Sequence, residues 1–271
     1  RGHKVVLFEA ANRLGGQLLL AVRATWRRDL IAIVDWRTAE LTRLGVDVRL
    51  NTYAGADDVL REKPDAVIVA TGGVPATAWL DGAEHCTTVW DILSGAVAAK
   101  DEVIVYDGTG RHQAVSCALH LAEQDRDVQF VTLDDNMGLE MEYNARVVYR
   151  KRFAEHGVRT TIDHQLERVR PSGNGLVATF RHELTGALVE MRAPQIVIEN
   201  GTVPITETFD ALRPGSVNGG VTHTDALLAG EPQCATPPAD GAFELHRIGD
   251  AVTSRSVHAA IYDALRLCMA L

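Results

Sequence analysis

Four short groups of residues in this sequence have the chemistry to hold a dinucleotide. Glu9 directly follows the apolar run Val5-Val6-Leu7-Phe8. An acid at the tip of a buried parallel strand is placed to accept hydrogen bonds from adenosine ribose hydroxyls, although the same acid could simply face water. Asn12-Arg13-Leu14-Gly15-Gly16-Gln17 comes next. Glycines lack a Cβ and so let backbone N–H groups approach a phosphate or a flavin, while a Gly-Gly pair also makes an ordinary turn. Ala70-Thr71-Gly72-Gly73 closes an apolar, β-branched run, at the carboxyl end of a strand where open α/β sheets bind ligands. Gly249-Asp250 precedes the last helical pattern. Asp250 either caps that helix or accepts a hydroxyl of a ribityl chain while the helix N-terminus faces a pyrophosphate.

A fifth group is a broken phosphate-binding turn, Tyr106-Asp107-Gly108-Thr109-Gly110-Arg111-His112-Gln113. A G-x-G-x-x-G fingerprint begun at Gly108, with Gly110 as its second glycine, meets Gln113 where the third belongs. Begun at Asp107, it loses all three glycines. Neither register suits a tightly held NAD(P) pyrophosphate. Asp134 is placed as a ribose acid that would disfavour a 2′-phosphate, and reads equally well as a loop acid beside Asp135.

No catalytic residue emerges. The ten histidines show neither H-x-x-x-H nor H-x-H spacing and no partnered cysteine, so they read as scattered side chains and no metal is expected. No Gly-x-Ser-x-Gly elbow occurs. Cys86, Cys117, Cys234 and Cys268 stand far apart without a C-x-x-C pair, which excludes a redox dithiol, a zinc ribbon and a clustered iron–sulfur site. They read as buried thiols in a reducing cytosol.

The elements that must position these groups alternate. Strands are expected at 5–8, 46–50 and 66–70, with helices at 29–44 and 57–62 between them. A connector follows over 74–100, with a short helix around 89–98. A second run then gives strands at 103–106, 128–133 and 158–162, helices at 112–124 and 142–156, and an antiparallel meander through 166–169, 176–181 and 188–192. A buried strand follows at 195–199, an irregular stretch over 202–242 and a last helix at 256–270. Two strand–helix alternations imply an α/β fold with two doubly wound, Rossmann-like dinucleotide-binding domains. The last helix has no sheet of its own and packs back on the first unit. The second domain is thus inserted in the first: residues 1–99 and 200–271 form the outer dinucleotide-binding domain, and 100–199 the inner one.

Length and composition agree. At roughly 150 residues per domain, 271 residues make a little under two domains. Hydrophobic residues at 46% and charged residues at 23% exclude wholesale disorder. A net charge of −9 without a long basic cluster argues against nucleic-acid or anionic-membrane partners. The apolar runs are strand-sized, so no membrane-spanning helix is expected.

The order of the motifs carries a resemblance. Strand-Glu, Gly-Gly-Gln, Ala-Thr-Gly-Gly, a nested α/β unit and Gly-Asp-helix is the layout of flavoproteins with two dinucleotide-binding domains. From Arg1 to Leu271 the chain resembles the C-terminal half of the long NADH:flavin oxidoreductases of the old yellow enzyme family. These include trimethylamine and histamine dehydrogenases, 2,4-dienoyl-CoA reductase and the N-methylproline, stachydrine and dimethylglycine demethylases. Phe8-Glu9-Ala10 to Gly15-Gly16-Gln17, Val105-Tyr106-Asp107, Glu142-Tyr143-Asn144 and Gly249-Asp250-Ala251 through Ile261-Tyr262-Asp263 are most similar to the demethylase branch.

The resemblance implies a disulfide-reductase-like fold whose outer domain binds FAD, or only ADP, and passes electrons between it and the flavin of an N-terminal barrel of the parent enzyme. That barrel would carry FMN and an iron–sulfur cluster; in this chain NAD(H) is left open. The first strand and its glycine-rich turn would precede Arg1. Without them the chain is expected to be apo or to bind FAD weakly, and to be less stable or to self-associate through an exposed sheet edge. Two rivals remain: a stand-alone pyridine-nucleotide-dependent reductase, and a non-redox assembly domain with a vestigial nucleotide site.

Overall fold

The computed structural model describes residues 2–233 and 241–271. The chain forms two compact units, one from Arg1–Gly16, Val34–Val74 and Thr202–Leu271, the other from Gln17–Ile33 and Pro75–Gly201. The fold is α/β with parallel sheets. The second unit begins at Pro75 rather than near residue 100. Thr87–Thr88 pairs with Gln195–Glu199, and Val89, Ile92 and Leu93 sit in that unit's core.

The second unit is built on five parallel strands in the order Thr87–Thr88, Gln195–Glu199, Glu102–Asp107, Asp127–Thr132, Arg159–Thr161. Alternation along the strands divides its core in two. Val103, Val105, Val128, Phe130 and Val197 face the helices His112–Ala122 and Tyr143–Glu155. Ile104, Tyr106, Val131, Ile196 and Ile198 face the antiparallel meander His164–Ser172, Gly175–His182, Leu188–Ala193. Each such side chain contributes about 1.5–3 kcal/mol on burial, which is why unbroken β-branched runs occupy these strands. Thr88 and Asp91 form a reciprocal capping box that starts the helix Val89–Ser94.

One part of this unit has no clear sequence signal. Leu18–Ala21 is a short helix and Thr25–Leu30 a 3₁₀ helix ahead of Ile31–Arg43. Leu20 and Trp26 pack on the helix-side core, with the Trp26 and Tyr149 rings edge to face at 5.0 Å. The Tyr149 hydroxyl meets Ser116 Oγ at 2.6 Å, both groups being buried.

The first unit holds two separate parallel pairs, Val6–Phe8 with Asp47–Arg49 and Ala66–Val69 with Glu244–Arg247. Among the described residues, Val6–Phe8 and Ala66–Val69 are each bonded to a strand on one side only. Val67, Val69, Phe209, Leu212, Phe243 and Leu245 form its core. Asn218 covers the far edge of Glu244–Arg247 as a strand would: its Oδ1 accepts from Leu245 N at 3.0 Å and its Nδ2 donates to Leu245 O at 2.9 Å. The stretch expected to be irregular thus contains ordered elements, including Thr202–Pro204, which pairs with Gly73–Pro75, and the helix Glu207–Leu212.

Cys117 is buried as expected, whereas Cys86 is half-buried and Cys268 exposed; Cys234 lies outside the described residues. No helix among the described residues is long and apolar enough to cross a membrane.

Candidate functional site

In the first unit the sheet brings two of the predicted groups together. Ala66–Val69 and Glu244–Arg247 pair in register, Val69 opposite Arg247, and Ile248 N continues the ladder to Val69 O at 3.1 Å. Ala70, Thr71 and Gly72 therefore leave the carboxyl end of one strand beside Gly249 and Asp250, which leave the other. Thr71 Oγ1 donates to Ile205 O at 2.8 Å and Ile205 N donates to Gly72 O at 3.0 Å. Thr202–Pro204 in turn packs against the Gly249–Ala251 turn.

Backbone conformation is decisive at two of these glycines. Gly72 has φ +73° with open space where a Cβ would stand, so its backbone is accessible to a ligand. Gly249 has φ +59°, and a Cβ there would lie 3.3 Å from that of Ala260. It allows the turn to sit against the first turns of the helix Val257–Ala270. Gly249 N donates to Asp263 Oδ2 at 3.2 Å, and Arg255 pairs with the same carboxylate. Asp250 Oδ1 accepts from Arg255 N at 3.3 Å, while Ser256 Oγ accepts from Ala259 N. Ser256, rather than Asp250, caps the last helix.

Glu9 ends Val6–Phe8, its backbone continuing the pair with Arg49 O and Thr52 N, and its Oε1 accepts from Ala11 N at 2.8 Å. Leu14 and Gly15 are half-buried and Gly16 exposed. Gly15 and Gly16 take φ +131° and +49°, with nothing near a Gly16 Cβ. Gln17 belongs to the second unit. Glu9 with Gly15 and Gly16 lies on one parallel pair and Thr71-Gly72 with Gly249-Asp250 on the other, so the structure gives two groups. Each has the chemistry of part of an adenine-dinucleotide site, an acid that accepts ribose hydroxyls in the first and bare glycine backbone in both.

The second unit's turn is different. Gly108, Gly110 and Asp134 do come together, but the space is filled. Asp107 Oδ1 accepts from Thr109 N and Gly110 N, both at 3.0 Å, and from Thr109 Oγ1 at 3.2 Å. The position of a Gly110 Cβ is 2.6 Å from Asp134 Oδ2, and Gly108 is backed by the side chain of Asn200. The Asn200 amide is oriented to donate to Gly108 O and to accept from Trp79 Nε1. These residues do not fit a bound pyrophosphate.

Burial pushes Asp107 up to about 6, against the pull of the Thr109 and Gly110 amides. Burial also pushes Glu199 up to about 7, with the Asp107 charge adding to it. Asp134 is raised by burial and by Asp135 and Glu140. Glu199 and Asn200 carried no sequence signal beyond ending the strand Gln195–Glu199. An Asp-Gly-Thr-Gly string does carry one for an Asp side chain that bonds amides two and three residues on. No group of three or more His, Cys, Asp or Glu among the described residues could hold a metal ion.

The fold is that of the FAD/NAD(P) disulfide-reductase type. It superposes on the thioredoxin reductase of T. acidophilum over 99% of this chain and 88% of that one, with a TM-score of 0.63 at 15% identity. It matches the histamine dehydrogenase of Rhizobium sp. 4-9 over 100% of this chain and 40% of that one, with a TM-score of 0.81 at 18% identity. No protein-family model matches the chain.

Sequence relatives are more specific. The chain is 45% identical to the multifunctional alkene reductase/demethylase OYE of Caballeronia cordobensis, over 100% of this chain and 40% of the relative. It is 41% identical to a probable N-methylproline demethylase of Rhizobium meliloti and 40% identical to an N,N-dimethylglycine/sarcosine dehydrogenase of Chromohalobacter salexigens. These matches cover 98% and 99% of this chain and 40% of each relative. The chain is similar to one part of these longer reductases, demethylases and dehydrogenases, and spans about 40% of their length.

Proposed function

We propose that the first unit holds FAD, or the ADP portion alone, within a longer oxidoreductase that acts on an amine or N-methyl substrate. The observation that carries this is the meeting of Thr71-Gly72 with Gly249-Asp250 at the carboxyl ends of two paired parallel strands. Glu9 accepts the adenosine ribose hydroxyls, and Gly15, Gly16 and Gly72 present bare backbone. Leu14 and Ala70 supply apolar walls, and Asp250 accepts a hydroxyl of a ribityl chain. FAD, when bound, supplies an electron carrier between a donor and an acceptor flavin. The substrate class follows the names of the demethylase and dehydrogenase relatives, and the substrate chemistry, with FMN and an iron–sulfur cluster, is placed in the remainder of the longer protein.

The test is to release and identify the nucleotides of the purified full-length protein by chromatography, beside its absorbance spectrum. One equivalent of FAD or ADP, lost when Gly72 is replaced by Val, is the expected result. A protein that carries neither, or that keeps its full complement in the folded variant, sinks the reading.

A further inference from the structure

The second unit keeps a dinucleotide-type sheet, and its strand order fixes where a ligand would dock. From Glu102–Asp107 the chain steps outward to Asp127–Thr132 and Arg159–Thr161, then returns on the other side as Gln195–Glu199. The order reverses between Glu102–Asp107 and Gln195–Glu199, and ligands of open α/β sheets bind in the crevice at the carboxyl ends of such strands. Here that point is occupied by Asp107 and Glu199, in register with each other and 0% and 3% exposed.

We propose that Asp107 closes this turn to nucleotide pyrophosphates, its own carboxylate taking the place of a phosphate oxygen. The amides of Thr109 and Gly110, which lead into the helix His112–Ala122, are the donors a phosphate would use. Both already donate to Asp107 Oδ1, and Arg111 N donates to Thr109 Oγ1 at 3.3 Å. The other carboxylate oxygen, Oδ2, is buried without a hydrogen-bond partner, so the side chain is held inside the turn at a cost a solvent-facing Asp would avoid.

Charge reinforces occupancy. Asp134 and Glu199 bear on Asp107, Asp135 and Glu140 bear on Asp134, and Arg111 is the cation that bears on Glu199. On the neighbouring helix His112 faces Arg27 and Glu142. A pyrophosphate would displace the Asp107 carboxylate and meet those of Asp134 and Glu199. The unit therefore rejects NADH and NADPH alike, and reducing equivalents do not enter the protein here. This is independent of the nucleotide proposed for the first unit.

The test is amide hydrogen exchange on the full-length protein with and without millimolar ADP-ribose, a pyrophosphate probe that cannot be oxidised or reduced as a nicotinamide can. In the wild type, exchange at residues 108–113 is unchanged by the probe. It is unchanged in Asp107→Asn too, because the amide oxygen still accepts the two N–H bonds. In Asp107→Ala, exchange there slows about tenfold or more on adding the probe. Slowing in the wild type or in Asp107→Asn, or none in a folded Asp107→Ala, overturns the proposal. Should Asp107→Ala lose protection along Glu102–Asp107, Asp107→Gly serves in its place with the same expected outcomes. Residues 9–16 and 70–73 report separately whether the first unit takes up the probe.

Discussion

Asp107 and Glu199 stand opposite one another on adjacent parallel strands, each the last residue of its strand and each buried. A carboxyl group with a raised folded pKa binds its proton more tightly folded than unfolded. Its contribution to stability is present at low pH and is lost as pH rises from the ordinary carboxylate range through the folded value. For this pair that window closes near about 6 for Asp107 and about 7 for Glu199. The Asp107→Asn/Glu199→Gln double variant is therefore expected to exceed the wild type in urea stability at about pH 8, with the advantage shrinking towards about pH 5. His112, brought down to about 4 chiefly by burial, titrates in both proteins and cancels in the difference. A pH-independent difference between the two proteins would count against the pair.

Ser116 and Tyr149 share a buried 2.6 Å hydrogen bond between two helices. Removing the serine hydroxyl takes one partner from a buried phenol that Arg27 and Trp26 also face, while removing the phenol leaves a serine that can turn to its own helix carbonyl. Ser116→Ala should cost about 1–3 kcal/mol, and Tyr149→Phe less of that polar penalty. A double-mutant cycle in urea reads the coupling; none at all would mean the bond is not made in solution.

Gly249 and Gly45 have similar left-handed backbones, φ +59° and +69°, in different surroundings. A Cβ at Gly45 meets open space, whereas one at Gly249 crowds Ala260. Gly45→Ala should cost roughly 1–2 kcal/mol from the backbone alone. Gly249→Ala should cost more and also lower nucleotide retention. Equal losses in thermal unfolding, with nucleotide content unchanged, would remove Gly249 from the site.

Glu9→Gln keeps an oxygen able to accept from Ala11 N and removes the charge. Nucleotide affinity is expected to fall by about 1.5–3 kcal/mol, the worth of a charged hydrogen bond, with stability changed by no more than about 0.5 kcal/mol. Equilibrium dialysis against ADP gives the affinity. An unchanged constant would put the ribose elsewhere.

The central strands of each unit were readable because burial on two faces demands apolar runs: Ala66–Val69, Glu102–Asp107 and Gln195–Glu199 fall within two residues of their expected limits. Glu244–Arg247 was not readable, since Leu245 is its one apolar residue and it buries His246 against Thr222 Oγ1 at 2.8 Å. Leu18–Ala21 and Thr25–Leu30 are too short for periodicity to show, and tertiary packing of Leu20 and Trp26 gives them their place. For the candidate site, residue types pointed to Glu9, Thr71, Gly72, Gly249 and Asp250, and the sheet brings the last four together. The Thr71–Ile205 bond joins positions far apart in sequence, and no local pattern announces it. The damaged fingerprint at 107–113 was visible as a missing motif. That Asp107 turns inward to satisfy Thr109 and Gly110 was also legible, in the Asp-Gly-Thr-Gly string, but reading the segment as a failed glycine fingerprint passed over it.

The first unit is assembled from three stretches of chain, with the bulk of the second unit lying between two of them. During synthesis Ala66–Val69 is made long before Glu244–Arg247, its one strand neighbour among the described residues. Closing so long a loop is slow relative to forming the nearer contacts of the second unit. A nascent chain should therefore show protease protection over 75–201 first, while Val67 and Val69 remain cleavable until the last seventy or so residues emerge at about 5–20 residues per second. In that interval the half-finished first unit exposes an apolar strand edge, the kind of surface chaperones recognise. Slowing translation over residues 202–271 would lengthen that exposure.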